Sequence, residues 1–204
     1  MIPGLLAASL LVPDLPSDKW KDTDKDGLYD HWETTGFGPL DPNIHGCSPT
    51  RSDIIICFRI RPGMTPATMQ PTIDRMKRFY SEMPYTNPDG TKGLNLIAIV
   101  LEPLGEEFNS KGYIELYEVG MPKEWRGLAH GVMVDNHPGG GGQANRPDWC
   151  GTGCNFWTIV HEVGHQLGLP HGPLLTGVGS PFHASLMNYD YSYQLAGDAQ
   201  KVQF

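Results

Sequence analysis

The sequence predicts an α/β (α+β) fold, a twisted and mainly parallel sheet backed by helices. Three observations carry this reading. Asp53-Ile54-Ile55-Ile56-Cys57-Phe58-Arg59-Ile60-Arg61 is a continuous apolar run that begins to alternate only at its end, as a strand buried on both faces requires. Leu94 to Leu101 is a second such run. Between them, Ile73, Met76, Phe79, Tyr80 and Met83 recur at spacings of three and four, the stripe of a helix packed on a sheet. A strand, helix, strand order joins parallel neighbours through a right-handed crossover.

The chain of 204 residues suits one domain with a small appendage, expected as an N-terminal arm over residues 1–52 and a main domain over 53–204. Its 25 glycines and 18 prolines follow no repeat and signal long loops. A formal charge of −8 argues against nucleic acid or an anionic membrane surface as partner. The nearly apolar stretch Ile2 to Val12 is far shorter than the ~18 residues of a membrane-spanning helix, and no Lys or Arg precedes Lys19 to form the basic end of a signal peptide.

Within the arm, Asp22-Thr23-Asp24-Lys25-Asp26-Gly27-Leu28-Tyr29-Asp30-His31-Trp32-Glu33 places acids at positions 1, 3, 5, 9 and 12 of a twelve-residue loop, with glycine at position 6. These are the positions from which an EF-hand loop gathers calcium: alternating carboxylates converge on a hard cation, Gly27 makes the sharp turn, Leu28 offers its carbonyl and Glu33 can bind bidentately. The expected calcium ligands are therefore Asp22, Asp24, Asp26, Leu28, Asp30 and Glu33. Leu15-Pro16-Ser17-Asp18 has no helical period, so the loop resembles the D-x-D-x-D-G loops of dockerin and thrombospondin type 3 repeats more than a full helix–loop–helix hand. A single copy implies a stabilising clip rather than a calcium sensor.

Pro62-Gly63 closes the first strand, and Thr65 caps the helix that Pro66 opens. Asn87-Pro88-Asp89-Gly90 turns the chain into the second strand. Tyr113 to Val119 is predicted as a third strand and Leu128 to Val134 as a fourth, ahead of a glycine run, Gly139 to Gly142, expected to form a flexible rim or linker.

His161-Glu162-Val163-Gly164-His165-Gln166-Leu167-Gly168-Leu169-Pro170-His171, on a helix beginning near Asn155, reads H-E-x-x-H-x-x-G-x-x-H. Residues four apart share one helix face, so His161 and His165 present two imidazoles to a single zinc ion. Glu162 stands beside them as a base rather than a ligand. Gly168 can take the left-handed conformation that ends the helix, and Pro170 stops the helix resuming, so His171 can return as a third ligand. Three protein ligands leave an open coordination position, the mark of a catalytic zinc.

This pattern resembles the metzincin metallopeptidases, with secreted pappalysin-like enzymes of bacteria the nearest branch. Metzincins carry a methionine turn beneath the metal, and Ser185-Leu186-Met187-Asn188-Tyr189 supplies the corresponding M-x-Y. The resemblance covers roughly Asp53 to Tyr189. It implies a zinc endopeptidase with Met187 as the floor of the site and Tyr189 binding the zinc or the transition-state oxyanion. It also implies an antiparallel edge strand at 128–134 along which a protein or peptide substrate is bound. Only fifteen residues follow Tyr189, so the C-terminal subdomain is expected to be small, and Gly172, after the third histidine, departs from several named subfamilies. A calcium-dependent binding or adhesion module with a vestigial zinc site is the alternative, and hydrolysis of a generic protein with and without chelator separates the two.

Cys47, Cys57, Cys150 and Cys154 allow three disulfide connectivities, a four-cysteine metal site or buried thiols. The short spacings favour Cys47–Cys57 and Cys150–Cys154. Disulfides and a calcium loop together give the expectation of a secreted, extracellular protein.

Overall fold

The computed structural model describes residues 17–136, 141–146, 148–171 and 187. The apolar stretch 2–12, the first two residues of the glycine run, Tyr189 and the expected C-terminal subdomain lie outside the described residues. The first apolar run forms β1 (Asp53–Ile60), and the striped segment forms α2 (Pro66–Ser81) with Pro66 in its first turn, where a missing N–H leaves no helical bond unmade. The second apolar run is β2 (Asn95–Leu101), parallel to β1. The other described elements are α1 (Asp30–Thr35), α3 (Tyr113–Gly120), β3 (His130–Asp135), β4 (Gly142–Arg146), β5 (Trp149–Gly153) and α4 (Phe156–Gln166).

The described strands form one five-stranded sheet in the order β2-β1-β3-β5-β4, parallel except that β4 runs antiparallel to β5. On one face Ile54, Ile56, Phe58 and Ile60 of β1 pack with Met69, Ile73 and Met76 of α2 and with Ile159 and Val163 of α4. On the other, Ile55 and Cys57 meet Leu116 and Tyr117 of α3 and Leu28, Leu40 and Cys47 of the arm. The sheet is thus covered on both sides, which is why β1 runs apolar on both faces from Ile54 to Phe58.

Three expectations are corrected. Residues 113–120 form a helix, not a strand: Leu116, Tyr117 and Gly120 are buried on one side while Ile114 and Val119 are exposed, and Glu115 accepts the Gly112 amide at 3.0 Å as the first turn closes. A glycine in the capping position hid the start of this helix from the sequence.

Residues 128–134 are not the sheet's edge either. β3 lies between β1 and β5 and is parallel to both, and its residues Gly131 to Val134 are buried. Among the described residues the antiparallel edge is β4, a short strand paired on one side with β5. Gly142, expected in a flexible rim, opens this strand.

Finally, neither cysteine pair is joined. Cys150 and Cys154 are four residues apart along an extended chain, a separation of about 13 Å at ~3.3 Å per residue, where a disulfide needs Cα atoms within about 7 Å. Cys47 bonds to Asp53 at the head of β1, a similar four residues short of Cys57. Burial pushes the Cys57 thiol up to about 12 and raises Cys47 and Cys150 as well, so all three are inert as nucleophiles. The disulfide support for secretion goes with them. Among the described residues no helix is long and apolar enough to cross a membrane.

Candidate metal centre

Asn155 starts α4 by accepting the amides of Trp157 and Thr158 on its side-chain oxygen, at 2.9 and 3.4 Å. The helix is buried along most of its length, so His161 is only 5% exposed and Glu162 6%. It ends after Gln166. Gly168 has φ +84°, the left-handed conformation expected of it, and the chain doubles back to bring His171 alongside.

The Nε2 atom of His171 lies 3.1 Å from that of His161 and 2.8 Å from that of His165. Three nitrogens about 2.0–2.1 Å from one tetrahedral zinc would stand about 3.3 Å apart, so the three imidazoles already converge on a common point. His165 has its Nδ1 2.8 Å from the Leu169 carbonyl oxygen. An Nδ1–H donated there leaves the Nε2 lone pair for a metal. Burial and the two neighbouring histidines lower the pKa of His171, which favours the neutral ring that a metal needs.

Glu162 accepts the backbone N–H of Ala144, on the edge strand, and burial pushes its carboxyl up to about 7. The strand passes so close that a β-carbon on Gly142 would stand 2.5 Å from Glu162 Cγ and 2.7 Å from Oε1. The edge strand and the acid are therefore set against each other by a glycine. Gly142→Ala is expected to push the carboxylate aside, and, should the site be a zinc peptidase centre, to lower kcat/KM by about 10–100-fold, the cost of roughly an ångström of misplacement, without loss of bound zinc. Unchanged kinetics in a folded, zinc-loaded variant would count against the assigned position of Glu162.

Beneath the helix, Met187 is 5% exposed, and its sulfur would lie 2.6 Å from a β-carbon on Gly164, between the two helical histidines. Met187 therefore packs against α4 at Gly164. Sequence reading had missed Gly142, Ala144 and β5; the signal for Gly142 was present in the glycine run but pointed equally to a loop.

The acidic loop forms a second cluster, with one exchange of residue. Ligand oxygens of Asp22, Asp24 and Asp26 lie within 4.8 Å of one another, as do those of Asp26, Glu33 and Asp53. Asp30 is engaged elsewhere: its carboxylate accepts the amide and hydroxyl of Thr23 at 2.8 and 2.7 Å and pairs with Lys21 at 3.2 Å. Leu28 donates its amide to Asp26 at 2.7 Å and buries its side chain in the core. Burial first, and then the charges of neighbouring acids, raise Asp24 to about 7 and Glu33 to about 8; burial also raises Asp26 to about 6.

Comparison with protein-family models, with curated proteins and with solved structures returns no match to this chain.

Proposed function

We propose that the chain is a zinc-dependent endopeptidase of the metzincin type. The observation that carries this reading is the convergence of three imidazole Nε2 atoms beside a buried glutamate that touches the edge strand. The donor set fits the ion: three neutral nitrogens, one with its other ring nitrogen against a carbonyl oxygen, suit zinc and leave a coordination position free.

His161, His165 and His171 would hold the zinc ion, which when bound would supply a Lewis acid for the scissile carbonyl and lower the pKa of water toward ~7. Glu162, itself raised to about 7, takes the proton of the attacking water on its carboxylate and returns it to the leaving amine nitrogen. An extended substrate can add as a further strand along β4, its backbone hydrogen-bonding to the side away from β5, which holds the scissile bond near Glu162.

Hydrolysis of a denatured protein by the purified chain, abolished by chelator and restored by zinc, tests the reading. No hydrolysis at full zinc occupancy, across several unfolded substrates, would leave the binding-module alternative.

Tyr189 enters by resemblance alone. As donor to the oxyanion, it should act on the chemical step, so Tyr189→Phe is expected to lower kcat by about 10–10³-fold with KM little changed. Loss of thermal stability with kcat per folded molecule intact would make Tyr189 a packing residue.

A further inference from the structure

Asp24 and Glu33 are each 1% exposed, and among the described residues no carboxylate oxygen of either has a hydrogen-bond partner. Both are held in this condition by their surroundings. The Asp24 carbonyl accepts the hydroxyls of Ser52 at 3.1 Å and Tyr85 at 2.9 Å, while Glu33 is carried into the cluster by α1. Around them stand Asp22, Asp26 and Asp53. Asp26 joins two groups of three carboxylates, and the four oxygens of Asp24 and Glu33 are buried among them without a donor, an arrangement that a bound cation would satisfy.

We propose that Asp22, Asp24, Asp26, Glu33 and Asp53 together bind one calcium ion, with Asp53 of the first strand in the role that the sequence pattern assigns to Asp30. The ligands are all oxygen and mostly charged, which selects a hard cation over zinc. Calcium accepts six to eight oxygens in irregular geometry at about 2.3–2.6 Å, and a set of oxygens within 4.8 Å of one another is close enough to share such an ion. Magnesium demands a tighter octahedron and keeps its water. A cavity of about 290 Å³ lined by Asp26, Asp53, Tyr85 and His130 gives a route in.

The exchange of Asp30 for Asp53 changes what the ion does. A loop closed on its own residues would be a self-contained module. With Asp53 as ligand, the ion joins the arm to the head of β1, where the Asp53 amide already donates to Asp26 at 2.7 Å. Calcium is then part of the main domain's stability, independently of what the histidine cluster does.

Calcium titrated into metal-stripped, zinc-restored protein should bind at one ion per chain by calorimetry, and the melting temperature should rise with calcium concentration. Asp53→Asn is expected to weaken calcium binding by about tenfold or more, and Asp30→Asn by no more than about twofold, since only the first loses a ligand charge. Glu33→Gln guards against misfolding of the Asp53 variant. It should weaken calcium binding as strongly, yet leave the calcium-free protein as stable as the parent, since among the described residues the Glu33 carboxylate makes no hydrogen bond that the substitution could break. Absence of calcium binding, two ions per chain, an Asp30 variant as impaired as the Asp53 variant, or a calcium-free Glu33→Gln protein less stable than the parent would each overturn the proposal.

Discussion

On the proposed peptidase reading, Glu162→Gln is expected to leave zinc bound and to lower kcat/KM for peptide hydrolysis by about 10²–10⁴-fold, the range of a lost general base. The amide is nearly the same shape as the carboxylate, and its oxygen can still accept the Ala144 N–H, so helix and edge strand keep their spacing. What disappears is the site that receives a proton. The three imidazoles are untouched, and zinc content by atomic absorption should match that of the parent. Turnover that survives the substitution would remove Glu162 from the mechanism. Loss of zinc together with activity would show that the acid holds the metal centre together rather than acting on substrate.

The second large effect is at Gly164, where a series of side chains sets two terms against each other. Gly164 lies inside α4, and replacing a helical glycine with alanine is worth about 1 kcal/mol of backbone propensity. Against this, a β-carbon would meet the Met187 sulfur at 2.6 Å, and overpacking a filled core costs about 1–3 kcal/mol. Alanine is therefore expected to come out near neutral, because the methionine is flexible enough to yield. Valine gains less propensity and adds two methyl groups to the same space, so Gly164→Val should lower stability by about 1–3 kcal/mol in denaturant unfolding. Its zinc affinity should fall too, as Met187 is displaced from the helix that carries His161 and His165. Equal stability of the parent and both variants would mean that Met187 does not rest on this helix.

The histidine cluster was legible in the sequence because every device in it is local. A helix fixes His161 against His165, and the left-handed turn at Gly168 returns His171, all within eleven residues. The acidic loop was legible for the same reason, but only up to its own boundary. Asp53 opens an apolar run and reads there as an ordinary end of strand; its place beside Asp26 and Glu33 is set by packing of the arm on the sheet, which leaves no trace in spacing. The order of the strands was hidden in the same way. That β3 is central and β4 the edge depends on β5, a Trp-Cys-Gly-Thr-Gly strand with two glycines and little β propensity. The helix over 113–120 was misread because seven residues with scattered apolar positions satisfy either period.

β1 is apolar on both faces, so sliding it by one position would turn Ile54, Ile56 and Phe58 toward α3 and Ile55 and Cys57 toward α2 with little change in buried area. Hydrophobicity does not choose between these alignments. The polar ends do. At the head, the Asp53 carboxylate accepts the Ser48 amide at 2.8 Å and the Asn95 side chain of the neighbouring strand. At the tail, Arg59 donates to the Gly120 carbonyl at 2.8 Å, and Arg61, just beyond the strand, to the carbonyls of Phe108 and Asn109 at 3.0 and 2.9 Å. A one-residue slip flips these groups to opposite faces and breaks all of the bonds together. Alignment of β1 is thus encoded in three charged side chains and not in its core, so aliphatic exchanges within it should be tolerated far better than loss of the charges that keep it from pairing one step out of place.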